Sequence, residues 1–373
     1  MLQCGCFPQH FVMVLPMRRL HVVLVALLVL IWSGAAQPVK AQTGTITIKG
    51  AVTWSQSRQL TESVIIASAG TLVVAPGVEL SLRPGVTITV ESGGTFITAG
   101  TETQRVRLAN VPGQPRWEGI FGRADSTILL AASDLVGGGA GGTLIASEAG
   151  RDFQLTSARI LDSGGQIRML NTPVTIKNTE LAGSTMPYGA AVDVRFNVNG
   201  PLITRRFVNL EFNRIEGNQL AAGAPVIRIA NEDRQSAPML NLVGNFVEGH
   251  QGPELTLIAE GPLSGNILCN TLTRGTQGVR LESVQSPPNY QPALNLRLNV
   301  IERHLVPPNN PTFQQLAIGL GASSDLSLDV AGNWWGHTTG PFAPNRNSTG
   351  RGDLAGINIQ FQAWLTERPA CAP

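Results

Sequence analysis

Few side chains in this chain could serve as acid, base or metal ligand, and they are scattered. The densest ionic run is Asn231-Glu232-Asp233-Arg234. It could present a carboxylic acid or hold a cation, but between two strand-like segments such a run reads first as a solvated loop tip. His250, His304 and His337 never fall at the close spacing of zinc ligands. His250 and His304 each lie five residues after a recurring asparagine, so stacked repeats could bring both to one wall, where a shared metal site is the sharper and less favoured reading. Arg351-Gly352-Asp353 spells the integrin tripeptide and Asn347-Ser348-Thr349 a glycosylation acceptor, but three-residue matches arise by chance. The stretch Gly332-Asn333-Trp334-Trp335-Gly336-His337, closing at Gly340-Pro341, is more pointed. Two indoles and an imidazole framed by glycines could stack a sugar ring or seal the end of a fold.

The elements that must position these groups begin after a leader. Met17-Arg18-Arg19 is a basic start, Leu20 to Trp32 is apolar apart from His21, and Val39-Lys40-Ala41 has signal-peptidase spacing. The apolar run is shorter than the roughly 20 residues of a membrane span. Residues 1–41 are therefore expected to be a cleaved signal peptide, with Met17 the alternative start and an uncleaved anchor the alternative to cleavage. No membrane span is expected after cleavage. The 24 basic and 25 acidic residues left give no basic face for nucleic acid. Charged residues are 14% of the chain, against about 25% in ordinary globular domains. Cys269 and Cys371 are the cysteines left in the mature chain. They could pair once in an oxidising compartment, or Cys269 could be a small buried apolar residue.

The mature sequence lacks helical periodicity. It carries short β-rich runs with Gly, Asn and Pro between them, as at Leu72-Val73-Val74, Val78/Leu80, Val86/Ile88/Val90 and Phe96, with corners at Pro76-Gly77 and Pro84-Gly85. In the second half a frame repeats: Asn, any residue, then a large apolar residue. Its asparagines are Asn213, Asn245, Asn270, Asn299 and Asn333, separated by 32, 25, 29 and 34 residues. Asn178 and Ser157 fill the polar slot more loosely, with the next apolar residue one position late. Such repeats predict a β-solenoid: an all-β, single-stranded, right-handed parallel β-helix of roughly ten coils with a C-terminal cap. Asparagine tolerates a left-handed corner and its amide can bond from coil to coil, so these five are expected to form a structural ladder. The expected domains are 42–336 for the helix and 337–373 for a capping segment.

With that frame, the chain resembles the secreted right-handed parallel β-helix proteins of the pectate-lyase-like superfamily, in their non-catalytic surface branch. The resemblance rests on Gly70-Thr71-Leu72, Pro76-Gly77-Val78, Gly94-Thr95-Phe96 and Gly100-Thr101, then Trp117 and Gly119. At the C-terminus it rests on Gly332-Asn333-Trp334-Trp335-Gly336, Gly340-Pro341, Gly350-Arg351-Gly352-Asp353 and Trp364-Leu365. His337 stands where an acidic residue is common. What the resemblance implies is fold, and a cap built from Trp334, Trp335 and Trp364. The acidic calcium ligands of the lyases and the Asn-Thr-Asp, Asp-Asp and Gly-His-Gly signatures of the polygalacturonases are missing, and Lys49 and Lys177 are the mature chain's only lysines.

The expectation is an exported β-helix, secreted or at the cell surface. It would be a non-enzymatic binding or structural module for polysaccharide or surface proteins, monomeric, with no catalytic residue, cofactor or metal. The alternative is a carbohydrate-active enzyme, a lyase or hydrolase, which would need Asp, Glu, Arg or His from different coils converging on one face.

Overall fold

The computed structural model describes residues 44–197, 205–249, 251–283, 291–305, 319–323 and 326–373. The expected signal segment 1–41 and His250 lie outside them. Each run with period-2 alternation becomes a strand of a few residues, because alternate side chains of an extended chain point to opposite faces. Thr71–Val74, Glu79–Leu82 and Thr87–Val90, three successive strands, each bury every second side chain.

Within the long sheets, successive strands do not pair with one another. Strands one coil apart pair, always in parallel, giving one sheet of eleven strands and two of ten. The first sheet starts at Thr45–Ile48, the second at Ala51–Trp54 and the third at Arg58–Leu60. The chain visits the three in rotation, and this is a parallel β-helix. Right-handed winding is the sense that twisted parallel strands adopt. Among the described residues no helix is long and apolar enough to cross a membrane.

The core is made of axial stacks. In the third sheet Leu80, Leu108, Leu135, Ile160, Leu181, Ile215, Val247, Leu272 and Ile301 lie in register, all buried. In the second, Leu72, Phe96, Ile128, Phe153, Val174, Val208 and Leu240 do the same.

The corners differ. Between the second and third sheets the link is two residues in successive coils: 157–158, 178–179, 212–213, 244–245, 269–270 and 298–299. The other two corners vary in length and absorb the uneven repeat spacing. At the tight corner the left-handed residue is the first of the pair: Ser157, Asn178, Phe212, Gly244, Cys269 and Leu298 have φ between 48° and 66°. This corrects the expectation that the repeat asparagines adopt the left-handed turn. It also explains the loose match upstream, because Asn178 and Ser157 hold the turn while Thr179 and Ala158 hold the ladder slot.

Residues 365–373 run back along the outside of the third sheet. There Thr271–Thr273 and Val300–Glu302 are buried on both faces. Leu365 N–H donates to Asn333 O (2.9 Å), Arg368 reaches Glu302 (3.3 Å) and Thr271 Oγ1 (3.3 Å), and Thr271 Oγ1 donates to Pro373 O (2.6 Å). Cys269 and Cys371 are disulfide-bonded, Cα atoms 5.3 Å apart, which fastens this strap to the corner.

Candidate functional site: inner ladder, buried ion cluster and outer faces

The five repeat asparagines lie in one buried column. Asn213 N–H and Nδ2 both donate to Asn245 Oδ1 (3.0 and 2.9 Å), and the pattern repeats from Asn245 to Asn270, Asn270 to Asn299 and Asn299 to Asn333. The second Nδ2 hydrogen goes back to the preceding coil, to the carbonyl of Ile176, Leu210, Leu242, Ile267 or Leu296. Upstream the column continues through Thr179, whose N–H donates to Asn213 Oδ1 (3.0 Å). With every donor engaged, these amides have no capacity for a ligand. A second, shorter ladder at the third-to-first corner joins Ser163 N–H to Ser184 Oγ (3.0 Å) and Ser184 N–H to Asn218 Oδ1 (3.1 Å). Sequence reading missed it, since Ser and Asn share the slot.

Trp335 is fully buried two residues after Asn333, in the inward position that Ile215, Val247, Leu272 and Ile301 occupy in earlier coils. Its indole N–H has no partner among the described residues, so its ring alone packs there. Trp334 is half-buried on the outside and donates Nε1–H to Glu302 Oε2 (2.9 Å). Trp364 lies against Gly340, where an added Cβ would stand 2.3 Å from the indole, and donates to Thr338 O (3.2 Å). His337 folds onto Thr339 (2.9 Å), a local turn.

The chain does assemble one ionisable cluster. His304 is buried with each ring nitrogen facing a carboxylate: Nε2 to Glu254 Oε2 (3.1 Å) and Nδ1 to Asp353 Oδ2. Glu254 Oε1 accepts the Gly275 N–H. Glycine is required at 275, since a Cβ there would lie 2.5 Å from the Gly252 backbone carbonyl oxygen as well as 2.4 Å from Glu254 Oε1. Burial disfavours the imidazolium, but the charge of Glu254 and the hydrogen bond the ring donates to Asp353 outweigh it and raise His304 to about 9. Burial pushes Glu254 upward, with His304 pulling it back. A protonated histidine between two carboxylates, shielded from solvent, can move no substrate proton. Its geometry ties the first sheet (Glu254), the chain just past the last third-sheet strand (His304) and the C-terminal segment (Asp353) together. Asp353 is thereby occupied and unable to act in an adhesion tripeptide. Among the described residues no group of His, Cys, Asp or Glu is arranged to hold a metal.

The ionic run is not a solvated tip, which corrects the sequence expectation. Asn231 and Asp233 are buried. Asn231 Nδ2 donates to the carbonyls of Asp233 (3.1 Å), Ser236 (2.9 Å) and Pro262 (2.7 Å), and Arg206 pairs with Asp233 at 2.5 Å. The Gln235 N–H, with Ser236 and Arg206 behind it and burial opposing, holds the Asp233 carboxyl below its ordinary value. These contacts close a turn between coils. Asn347 is likewise engaged, its Nδ2 donating to Thr339 O (2.9 Å) and Pro341 O (2.7 Å).

The outer faces remain. On the first sheet Arg168, Asp193, Arg228, Thr256 and Arg280 stand in register. Asp193 is buried and bound by Arg195 (2.7 Å) and Arg228 (3.1 Å). On the second, Val73, Ile97 and Leu129 give way to Gln154, Thr175, Asn209, Asn241, Asn266 and Asn295, one per coil in register. Gln154 donates to Asp152 (2.7 Å), Asn241 to Glu211 (2.7 Å) and Asn295 to Asn266 (3.1 Å), while Asn209 has no side-chain partner among the described residues. No family model, no curated protein and no solved structure matches this chain, so the fold stands on the three parallel sheets and the resemblance on its motifs.

Proposed function

We propose that the protein is an exported, non-enzymatic β-helix that binds extended, hydroxyl-rich polymers, glycan chains above all, along the outside of its second sheet. The observation that carries this is the uncharged polar column Gln154, Thr175, Asn209, Asn241, Asn266 and Asn295. Strand spacing repeats these groups at about 4.8 Å. Amides both donate and accept, as hydroxyls do, and a flat array in register suits a ligand that repeats along its length.

The first sheet favours the enzymatic alternative in one respect, since Arg168, Asp193, Arg195 and Arg228 converge there from three coils. The chemistry argues against it. Asp193 is closed off by its two arginines, so it offers neither a free acid nor one of the carboxylate pair a glycosidase uses. The hydrogen bonds that Arg195 donates to Asp193 raise Arg195 above its ordinary value, the wrong direction for a proton acceptor.

The deciding experiment offers purified protein to a polysaccharide panel with and without calcium. Retention on a polysaccharide without cleavage is expected, and release of unsaturated or reducing ends would overturn the proposal. Export has its own check. N-terminal sequencing of secreted protein should begin at or near Gln42, and intact protein in the membrane fraction would contradict it.

A further inference from the structure

The third sheet carries a different pattern on its outside. Glu79, Arg107, Asp134, Arg159, Glu180 and Arg214 lie in register on six consecutive strands, with charge alternating at every step. Neighbours along the column are only loosely paired, Glu79 with Arg107 at 3.6 Å and Arg159 with Glu180 at 3.8 Å, and these four side chains stay roughly half exposed. Two members are held more closely, Asp134 by Arg105 at 2.7 Å and Arg214 by Glu216 of its own strand at 2.6 Å.

An alternating column with an even number of members is its own complement when turned end over end. A two-fold axis between Asp134 and Arg159 sets Glu79 against the partner's Arg214, Arg107 against the partner's Glu180, and Asp134 against the partner's Arg159. Every facing pair is then of opposite sign, whereas two columns laid side by side in the same direction and register would face like against like. The column's limits fit the same arrangement. Its next members are Phe246, beneath the Arg214 guanidinium at 4.6 Å, and Thr271, which the C-terminal strap covers. Under the two-fold, Phe246 faces the partner's Ser57, and the strap falls beyond the partner's first third-sheet strand, Arg58–Leu60. The strap begins where the partner's face ends.

We infer that this face is the contact between two copies of the chain, joined antiparallel about a two-fold axis. A closed two-fold contact uses the same patch on both copies and adds no further chains. Six strands at about 4.8 Å span on the order of 25 Å, and a strand's width makes this roughly 300 Å² per copy, well short of the about 800 Å² of a standard interface. The dimer is therefore weak, with a dissociation constant of about 0.1–1 mM at low salt, and it weakens as salt screens exposed charge. The contact leaves the second sheet's amide column uncovered.

Charge exchange separates this inference from a column that serves only its own coils. Arg107→Glu and Glu180→Arg should each lower self-association at least tenfold in sedimentation velocity at low salt. Mixed together, the two variants should associate more tightly than either alone, because each then faces opposite charge at both positions. The double variant on one chain should dimerise at least as well as the parent, although three acids and then three arginines now neighbour each other along its own column and its melting temperature should fall. A parent that stays monomeric at millimolar concentration in low salt would overturn the inference. So would a mixture no more associated than its components, or a double variant that melts lower and stays monomeric. Circular dichroism on every variant confirms folding before association is read.

Discussion

Four coils carry asparagine twice, four residues apart: Asn209 and Asn213, Asn241 and Asn245, Asn266 and Asn270, Asn295 and Asn299. The first of each pair stands on the outside of the second sheet, and the second lies in the corner beneath it. Inside, each amide donates to the next coil and the previous one and is closed to anything else. Outside, the same amide meets water and at most one neighbour. Residue type does not separate structure from recognition here. Burial does, because a buried amide must find every partner within the protein while an exposed one keeps its capacity free.

The sharpest break in this comparison is in the last coil, where Asn333 keeps the ladder slot and the two residues after it, Trp334 and Trp335, lie outside and inside. Trp335→Ala should cost about 3–5 kcal/mol, the usual loss for a fully buried large ring, and should promote aggregation by loosening the final strands. Trp334→Ala removes a half-exposed ring and one hydrogen bond, and should cost about 1 kcal/mol. Thermal melts of the two variants test the order, and equal shifts would contradict the inside–outside assignment.

Next is the ladder itself. Asn270→Ala strands the Asn245 N–H, one Asn245 amide hydrogen and the Leu242 carbonyl. Orphaned buried groups cost about 1–3 kcal/mol each, softened by relaxation, so a total of about 3 kcal/mol is expected in urea titrations. A loss below about 0.5 kcal/mol would mean that the ladder is incidental.

His304 is the ionised counterpart of these inner amides. Its value is raised from 6.5 to about 9, so its contribution is fully present below pH 6.5 and is lost as pH climbs through 9. Glu254 and Asp353 are the charged groups that face it. The stabilisation at stake is on the order of 3 kcal/mol or less. Unfolding midpoints of the parent should fall between pH 6.5 and 9.5, and those of His304→Gln should not share that slope. A flat parent profile would remove the ion cluster from the stability of the C-terminal segment.

How far the sequence could be read follows from how local each signal is. Each period-2 run and each Asn-x-apolar frame is contained within a few residues, and together they are enough for a parallel β-helix. The left-handed turn was misplaced by one residue because Phe212 and Leu298, bulky residues, hold it at φ 53° and 57°. Glu254, His304 and Asp353 are far apart in sequence, and only the winding brings them together. The sole hints were His304 at a fixed offset from Asn299 and an aspartate inside a glycine turn. The charge column was hidden for the same reason, since uneven corners mask which residues share a face. The outer asparagines went unread: the one local signal that could have found them is their spacing of four from the ladder positions, and nothing local marks them as exposed.

The smallest expected effect on stability carries the most functional weight. Four residues from a ladder position, Asn266→Ala should change stability by less than about 0.5 kcal/mol, because an exposed amide exchanges protein contacts for water at little cost. Asn241, also four residues from a ladder position, is half-buried and donates to Glu211, so Asn241→Ala should cost about 0.5 kcal/mol. Asn266 is exposed, and its side chain gives up only the hydrogen bond it accepts from Asn295. If the outer column recognises a repeating polymer, the double variant should lose most retention on the polysaccharide that binds the parent, while a change to the first sheet, such as Arg168→Ala, should leave retention of a neutral polysaccharide unaltered. The contrast with Asn270→Ala is what makes the measurement decisive. That variant, where it folds, should bind normally and melt early, and the outer double variant should melt normally and bind poorly. A double variant that keeps full retention would remove the second sheet from recognition and leave the two asparagines of each coil with one role, held by the inner one.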